Sequence, residues 1–208
     1  MSTRVITIER EYGSGGAAIA KCLAKQLNWK LWDEDLTAEI ARTAGVDLVE
    51  ARRHDECLEN PLRRLFKVFA RGSYERALPI EGIDTDQMVV MLERVILDVA
   101  SRGNCVVVGR GSPYILRHRP DVCHFFIYAA QDEKVRRLAS IGKNEKEALA
   151  LLSQVDRERA TFIRHYFSKE WPMRSLYDLM INSKFGDEQV IETILQYVAA
   201  IDKRRVRV

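Results

Sequence analysis

The chain has 208 residues, 47% of them hydrophobic and 30% charged, and a formal net charge of +3. That length buries a full core without staples, the balance is that of an ordinary soluble globular protein, and so small a net charge leaves no footprint of nucleic-acid or membrane binding. Four cysteines without CxxC spacing argue for buried thiols at Cys22, Cys105 and Cys123 rather than a disulfide framework or zinc site, and with no secretory or long apolar segment the expected location is the cytoplasm.

Residues 4–19 organise the chain. Val5, Ile6 and Ile8 predict a short buried strand, Gly13-Ser14-Gly15-Gly16 break it, and a helix follows from Ala17. Strand, glycine turn and helix start are the parts of a phosphate-binding loop. Glycines admit positive φ, their amides can converge on one anion, and the helix adds its free donors and dipole. Gly13, Ser14, Gly15, Gly16 and Ala17 are therefore the candidate cofactor-binding residues. The usual GxxxxGK[ST] pattern fails at both chemical positions, since Gly16 stands where the lysine belongs and no Ser or Thr follows. Gly13-x-Gly15-x-x-Ala18 also fits the dinucleotide fingerprint, with Asp33 about twenty residues further on. A βα turn without ligand is the third reading, and the phosphate site is the preferred one.

A helix is predicted over 17–27 and a second strand over 30–32, with Asp33, Glu34 and Asp35 just past its end. That is the edge where open α/β sheets bind ligands, so Asp33 and Asp35 are candidate substrate contacts, or caps of a helix starting near Leu36. Residues 37–100 read as helix throughout, a helical insert on the sheet. Within it Arg52, Arg53, Arg63 and Arg64 suit a solvated face, Leu65, Val68 and Phe69 a buried stripe, 72–86 a mobile turn, and 89–100 a periodic helix.

Residues 104–108 form the clearest buried strand, ending in Gly109-Arg110-Gly111. An arginine fixed between two glycines at a strand's carboxyl end suits a bidentate grip on phosphate or carboxylate. His118 and His124 lack spaced metal partners and fit structural roles. A strand follows over 122–128, then a helix over 131–140 carrying Arg136 and Arg137, and a long helix over 145–167. On the latter Asp156, Arg157, Arg159 and Arg164 fall within roughly half the circumference, which suits an ion-paired surface or an anion clamp. Trp171-Pro172 follows the break. A last strand over 177–182, a turn over 183–186, a closing helix over 187–201 and a frayed basic tail complete the chain.

Taken in order, the blocks ITIEREYGSGG, LWDEDL, VVVGRGSPYIL, VDRERATFIRHYF with KEW behind it, and YDLMINS resemble the cytidylate kinase-like family over residues 4–200. This is a branch of the P-loop nucleoside monophosphate kinases with an altered loop. Its loop reads REYGSGG or REFGSGG, so the missing lysine is shared, which weakens the dinucleotide reading. The resemblance implies one three-layer α/β domain over 1–208. It would hold a five-stranded parallel sheet with helices on both faces, a helical acceptor-binding insert at 37–100 and a lid at 142–174.

By the same resemblance the glycine loop takes the phosphates of ATP. Arg110 looks like the arginine of a GRD motif that contacts the acceptor monophosphate, with Gly111 in place of the aspartate, so the resemblance leaves cytosine specificity open. Asp33 matches the acidic position after strand two, and Arg157, Arg159 and Arg164 match lid arginines that close over the transferred group. The implied activity is ATP- and Mg²⁺-dependent transfer to a nucleoside monophosphate, with no metal ligand assigned among the side chains. Arg10, just ahead of the loop, is a candidate for the charge the lysine would supply. Nucleotides are the expected partners, without nucleic acid or membrane, and a homo-oligomer is allowed. A nucleotide-binding protein without turnover is the alternative, and a dinucleotide-binding oxidoreductase ranks last.

Overall fold

The structure is a computed structural model that describes residues 2–33, 36, 39 and 85–206. Asp35, Cys57, the arginines at 52, 53, 63 and 64, the stripe of Leu65, Val68 and Phe69, the turn expected over 72–86 up to residue 84, and the tail residues Arg207 and Val208 lie outside the described residues. So does most of the expected insert, of which Leu36 precedes the start, Glu39 is described, and the final helix is present.

The elements are β1 (Val5–Arg10), α1 (Gly16–Leu27), β2 (Lys30–Trp32), α2 (Thr85–Arg102), β3 (Cys105–Val108), α3 (Ser112–Leu116), β4 (Val122–Tyr128), α4 (Gln131–Ala139), α5 (Glu145–Phe167), β5 (Leu179–Asn182) and α6 (Asp187–Val206). The five strands form one parallel sheet in the order β2-β3-β1-β4-β5. β1 therefore neighbours β3 and not β2, unlike the dinucleotide-binding order, in which the first two strands are adjacent.

Alternate residues of the strands serve opposite faces. Ile6, Ile8, Val106, Val108, Phe125 and Ile127 pack with Ile19 and Leu23 of α1 and Ile191 and Ile194 of α6. Val5, Cys105 and Val107 pack with Val95, Ile96 and Val99 of α2, Tyr114 of α3, and Phe162 and Ile163 of α5. Burial on both faces is why these strands read as continuous apolar runs. α5 opens with a reciprocal cap: Glu147 N–H donates to Asn144 Oδ1 at 2.9 Å and Asn144 N–H to the Glu147 carboxylate at 3.1 Å. Among the described residues no helix is long and apolar enough to cross a membrane.

Three local expectations change. Cys22 is exposed, because the buried stripe of α1 is Ile19, Ala20, Leu23 and Ala24 and residue 22 falls off it. Cys105 and Cys123 are buried as expected, and burial pushes the Cys105 thiol up to about 11. A short helix, α3, follows Gly111 with Pro113 in its first turn, a position proline suits. The basic tail does not fray at residue 203, since α6 continues to Val206. Thr3 donates its N–H and its hydroxyl to Asp202 Oδ1, each at 2.7 Å, and Arg205 donates to the Thr3 hydroxyl at 2.9 Å. The first residues thus hold the last turns of the helix.

His124, in β4, is structural. Its ring Nδ1 lies 2.7 Å from the Thr7 hydroxyl, and its main-chain N–H donates to Asp178 Oδ2 at 2.6 Å. Burial lowers its pKa below the usual 6.5, with Asp178 pulling the other way. The unfolded chain therefore takes up a proton before the native one does, and stability present above 6.5 falls as the pH drops through that value towards the lower native pKa. Melting midpoints of wild type and His124→Gln measured between about pH 5 and 8 should differ most at the alkaline end and converge on acidification. A gap constant across that range would remove His124 as the cause.

Candidate active site

The loop over residues 11–15 joins the end of β1 to the start of α1. Gly13 and Gly15 take φ of +75° and +85°, which few side chains tolerate. Ser14 is wholly buried. Its N–H and hydroxyl both donate to the Glu11 carbonyl, at 3.3 and 2.8 Å, and its own carbonyl accepts from the Ser183 hydroxyl at 2.7 Å. Glu11 N–H reaches the Ile127 carbonyl at 2.9 Å, and its carboxylate takes Lys134 Nζ at 2.8 Å. With Ser14 turned inward, the main-chain N–H groups of Gly15, Gly16 and Ala17 find no acceptor among the described residues. Free donors at a helix start form a cradle for an anion.

α5 fastens both flanks of this loop. Arg159, 5% exposed, donates through Nη1 to the Arg10 carbonyl at 2.7 Å and to Asp156 Oδ1 at 3.1 Å. The same Asp156 oxygen accepts the Tyr12 N–H at 2.8 Å. Burial, and then the positive charge of Arg10, draw the Arg159 guanidinium down to about 10, so it stays charged at neutral pH. Burial raises the Asp156 carboxyl against the pull of Arg159.

Arg10 is the last residue of β1 and is buried. Its stem runs over Gly16, where an added Cβ would lie 2.6 Å from Arg10 Cβ and 2.9 Å from Cγ. Its Nη1 occupies the space a Cβ on Gly109 would need, and its Nη2 stands 3.9 Å from Asp33 Oδ1. Arg110, also buried, holds φ +60° between its two glycines and donates to the Asp33 carbonyl at 3.1 Å. A non-glycine residue in that region costs about 1 kcal/mol or more, a cost that surrounding structure must hold in place. The room that an aspartate at 111 would want is filled by the Phe167 ring, whose Cε2 would lie 2.6 Å from such a Cβ.

The structure thus gathers Arg10, Asp33, Arg110 and Arg159 beside the loop of Gly13, Ser14, Gly15, Gly16 and Ala17, all at the carboxyl edge of β1, β2 and β3. Arg157 and Arg164 are exposed on α5 and make no polar contact with that group. Two neighbours escaped sequence reasoning. Arg137 lies in the space a Cβ on Gly15 would need, tied to Asp187 at 2.7 Å. Only the docking of α4 and α6 beside the loop shows this. Glu9, 3% exposed, accepts the Trp171 indole N–H at 3.2 Å; its signal was a carboxylate directly after the apolar run of a strand expected to be buried. Among the described residues no three His, Cys, Asp or Glu side chains stand together as metal ligands.

Removing one partner of the buried pair on α5 isolates the other. Asp156→Ala should lower stability by about 3 kcal/mol in urea denaturation. A loss below about 1 kcal/mol would mean the pair does not fasten the loop.

A model of the cytidylate kinase-like family matches residues 5–184. No curated protein matches the chain. Among solved structures, a protein of uncharacterised function from Eubacterium ventriosum aligns with TM-score 0.67 and 23% identity, over 95% of this chain and 99% of that one. A gluconokinase from Sinorhizobium meliloti aligns with TM-score 0.56 and 11% identity over 98% and 95%, and a shikimate kinase from Bacteroides thetaiotaomicron with 0.53 and 17% over 94% and 98%. At these identities the structures establish a shared P-loop kinase-type fold. With its sheet order, its glycine loop and a family match spanning most of its length, this chain belongs to the cytidylate kinase-like family.

Proposed function

We propose that this chain is an ATP-dependent phosphotransferase acting on a small phosphorylated acceptor, with a nucleoside monophosphate as the first candidate. The observation that supports it best is the convergence at one sheet edge of unspent loop amides and the buried Arg110. Phosphoryl transfer demands alignment and neutralisation of charge rather than covalent chemistry by the protein. The amides of Gly15, Gly16 and Ala17 would carry the donor phosphates. Arg110, aimed by its strained backbone and its bond to the Asp33 carbonyl, would orient the acceptor anion. Arg159 acts through position, since its guanidinium is engaged by the Arg10 carbonyl and Asp156. The expected lid at 142–174 contains α5, and its exposed Arg157 and Arg164 would be the α5 arginines that reach a bound nucleotide.

Mg²⁺ fits this site as an ion carried by the nucleotide's phosphates. The Ser14 hydroxyl is committed to the Glu11 carbonyl, and Asp33 is the buried carboxylate that would face the ion. The same commitment of Ser14, with glycine at 16, favours the second reading: nucleotide binding without turnover. The names of the fold neighbours, shikimate kinase and gluconokinase, add polyol acids to the acceptors worth testing.

Labelled ATP offered with nucleoside monophosphates, sugars and polyol acids should yield one phosphorylated product class. Arg110→Ala should lower kcat/KM for that acceptor by about a hundredfold or more. ATP binding by calorimetry with no product across the panel would establish the second reading. An Arg110→Ala enzyme of unchanged kcat/KM would free Arg110 of its role.

A further inference from the structure

Arg10 carries five N–H donors on a side chain that is almost wholly buried, yet among the described residues that side chain makes no hydrogen bond. Its Nε is buried without a partner, and its contact with Asp33 is a loose 3.9 Å. A guanidinium whose Nε is desolvated and unpaired is costly to the fold. Two glycines from separate motifs admit it. A Cβ at Gly16 would strike its stem, and a Cβ at Gly109 would overlap its Nη1. Gly16 is also the position at which a phosphate loop of the common type carries its lysine.

Resting on the phosphotransferase reading above, we infer that Arg10 is the loop's relocated cation: its guanidinium takes the place of the lysine at position 16, contacts the terminal phosphates, and excludes any side chain at 16. The stem lies against Gly16, the first residue of α1, the head ends between Gly109 and Asp33, and Arg110 bonds the main-chain carbonyl of the same Asp33. The guanidinium therefore stands between the donor cradle and the residue assigned to the acceptor. In the transfer, an acceptor oxygen bonds to the γ-phosphorus while the bond from that phosphorus to the β,γ-bridging oxygen breaks. The electron pair leaves on the β-phosphate of ADP. Arg10 neither gains nor loses a proton, and neutralises the oxygens of the moving group.

Calorimetry with ATP and AMP, alongside thermal melting, tests this on the full chain. Arg10→Met should melt at or above wild type, lose about ten- to a hundredfold in ATP affinity and leave AMP affinity unchanged. Gly16→Lys alone should be impaired. Arg10→Gly/Gly16→Lys, which removes the Cβ that a side chain at 16 would strike, should bind ATP more tightly than Arg10→Gly. ATP affinity retained in Arg10→Met, or a double variant no better than Arg10→Gly, would overturn the inference. A wild type that binds ATP but phosphorylates nothing would overturn the phosphotransferase reading, and the affinities would still decide Arg10. A wild type that binds no ATP would overturn both.

Discussion

One ion pair, Arg159 with Asp156, sets the backbone from which the site is built. It grips the carbonyl of the last β1 residue and the amide two residues later, so the chain leaves the central strand along a fixed line. Ser14 completes that constraint by folding inward onto Glu11 and accepting from Ser183. The loop is thereby fastened from α5 on one side and from the turn after β5 on the other. Its outward amides are what those attachments leave over. A buried pair of this kind adds little net stability over a well-packed apolar one, so its value here is positional.

The glycines at this edge divide by the neighbour each accommodates. Gly15 leaves room for Arg137, Gly16 for the stem of Arg10, Gly109 for its head, and Gly111 for the ring of Phe167. The departure from a GRD motif at 111 is therefore a packing exchange: an aromatic ring from the end of α5 stands where a carboxylate would need space. Read this way, the two glycine-rich stretches form one arrangement, since the same arginine passes between them.

Much of this was legible in the sequence, for identifiable reasons. Val5 to Ile8 and Cys105 to Val108 lie in a sheet covered on both faces, and such strands write themselves as apolar runs. The loop declared itself through glycine, and Arg110 through glycine on either side. Arg159 was harder to separate from Arg157 and Arg164 by charge alone. Its spacing held the distinction, because Ala148, Leu152, Val155, Arg159 and Phe162 form a single buried stripe, into which the other two do not fall. Cys22 shows the reverse error, an apolar residue type one step off the stripe of its helix. Arg137 left no local trace, since its place depends on how α4 meets α6, a contact between residues fifty positions apart.

The bond between Thr3 and the end of α6 lies at the amino edge of the sheet, opposite the glycine loop. Both ends of the described chain are therefore neighbours. A short peptide bridge there would turn the polypeptide into a ring without disturbing the loop, and the ring could be cut afresh at an exposed bend such as Gly142, where an added Cβ would meet no neighbour within 4 Å. Circular permutation would then separate two roles of connectivity that the natural order conceals: which contacts need sequence proximity to form, and which need only the finished sheet.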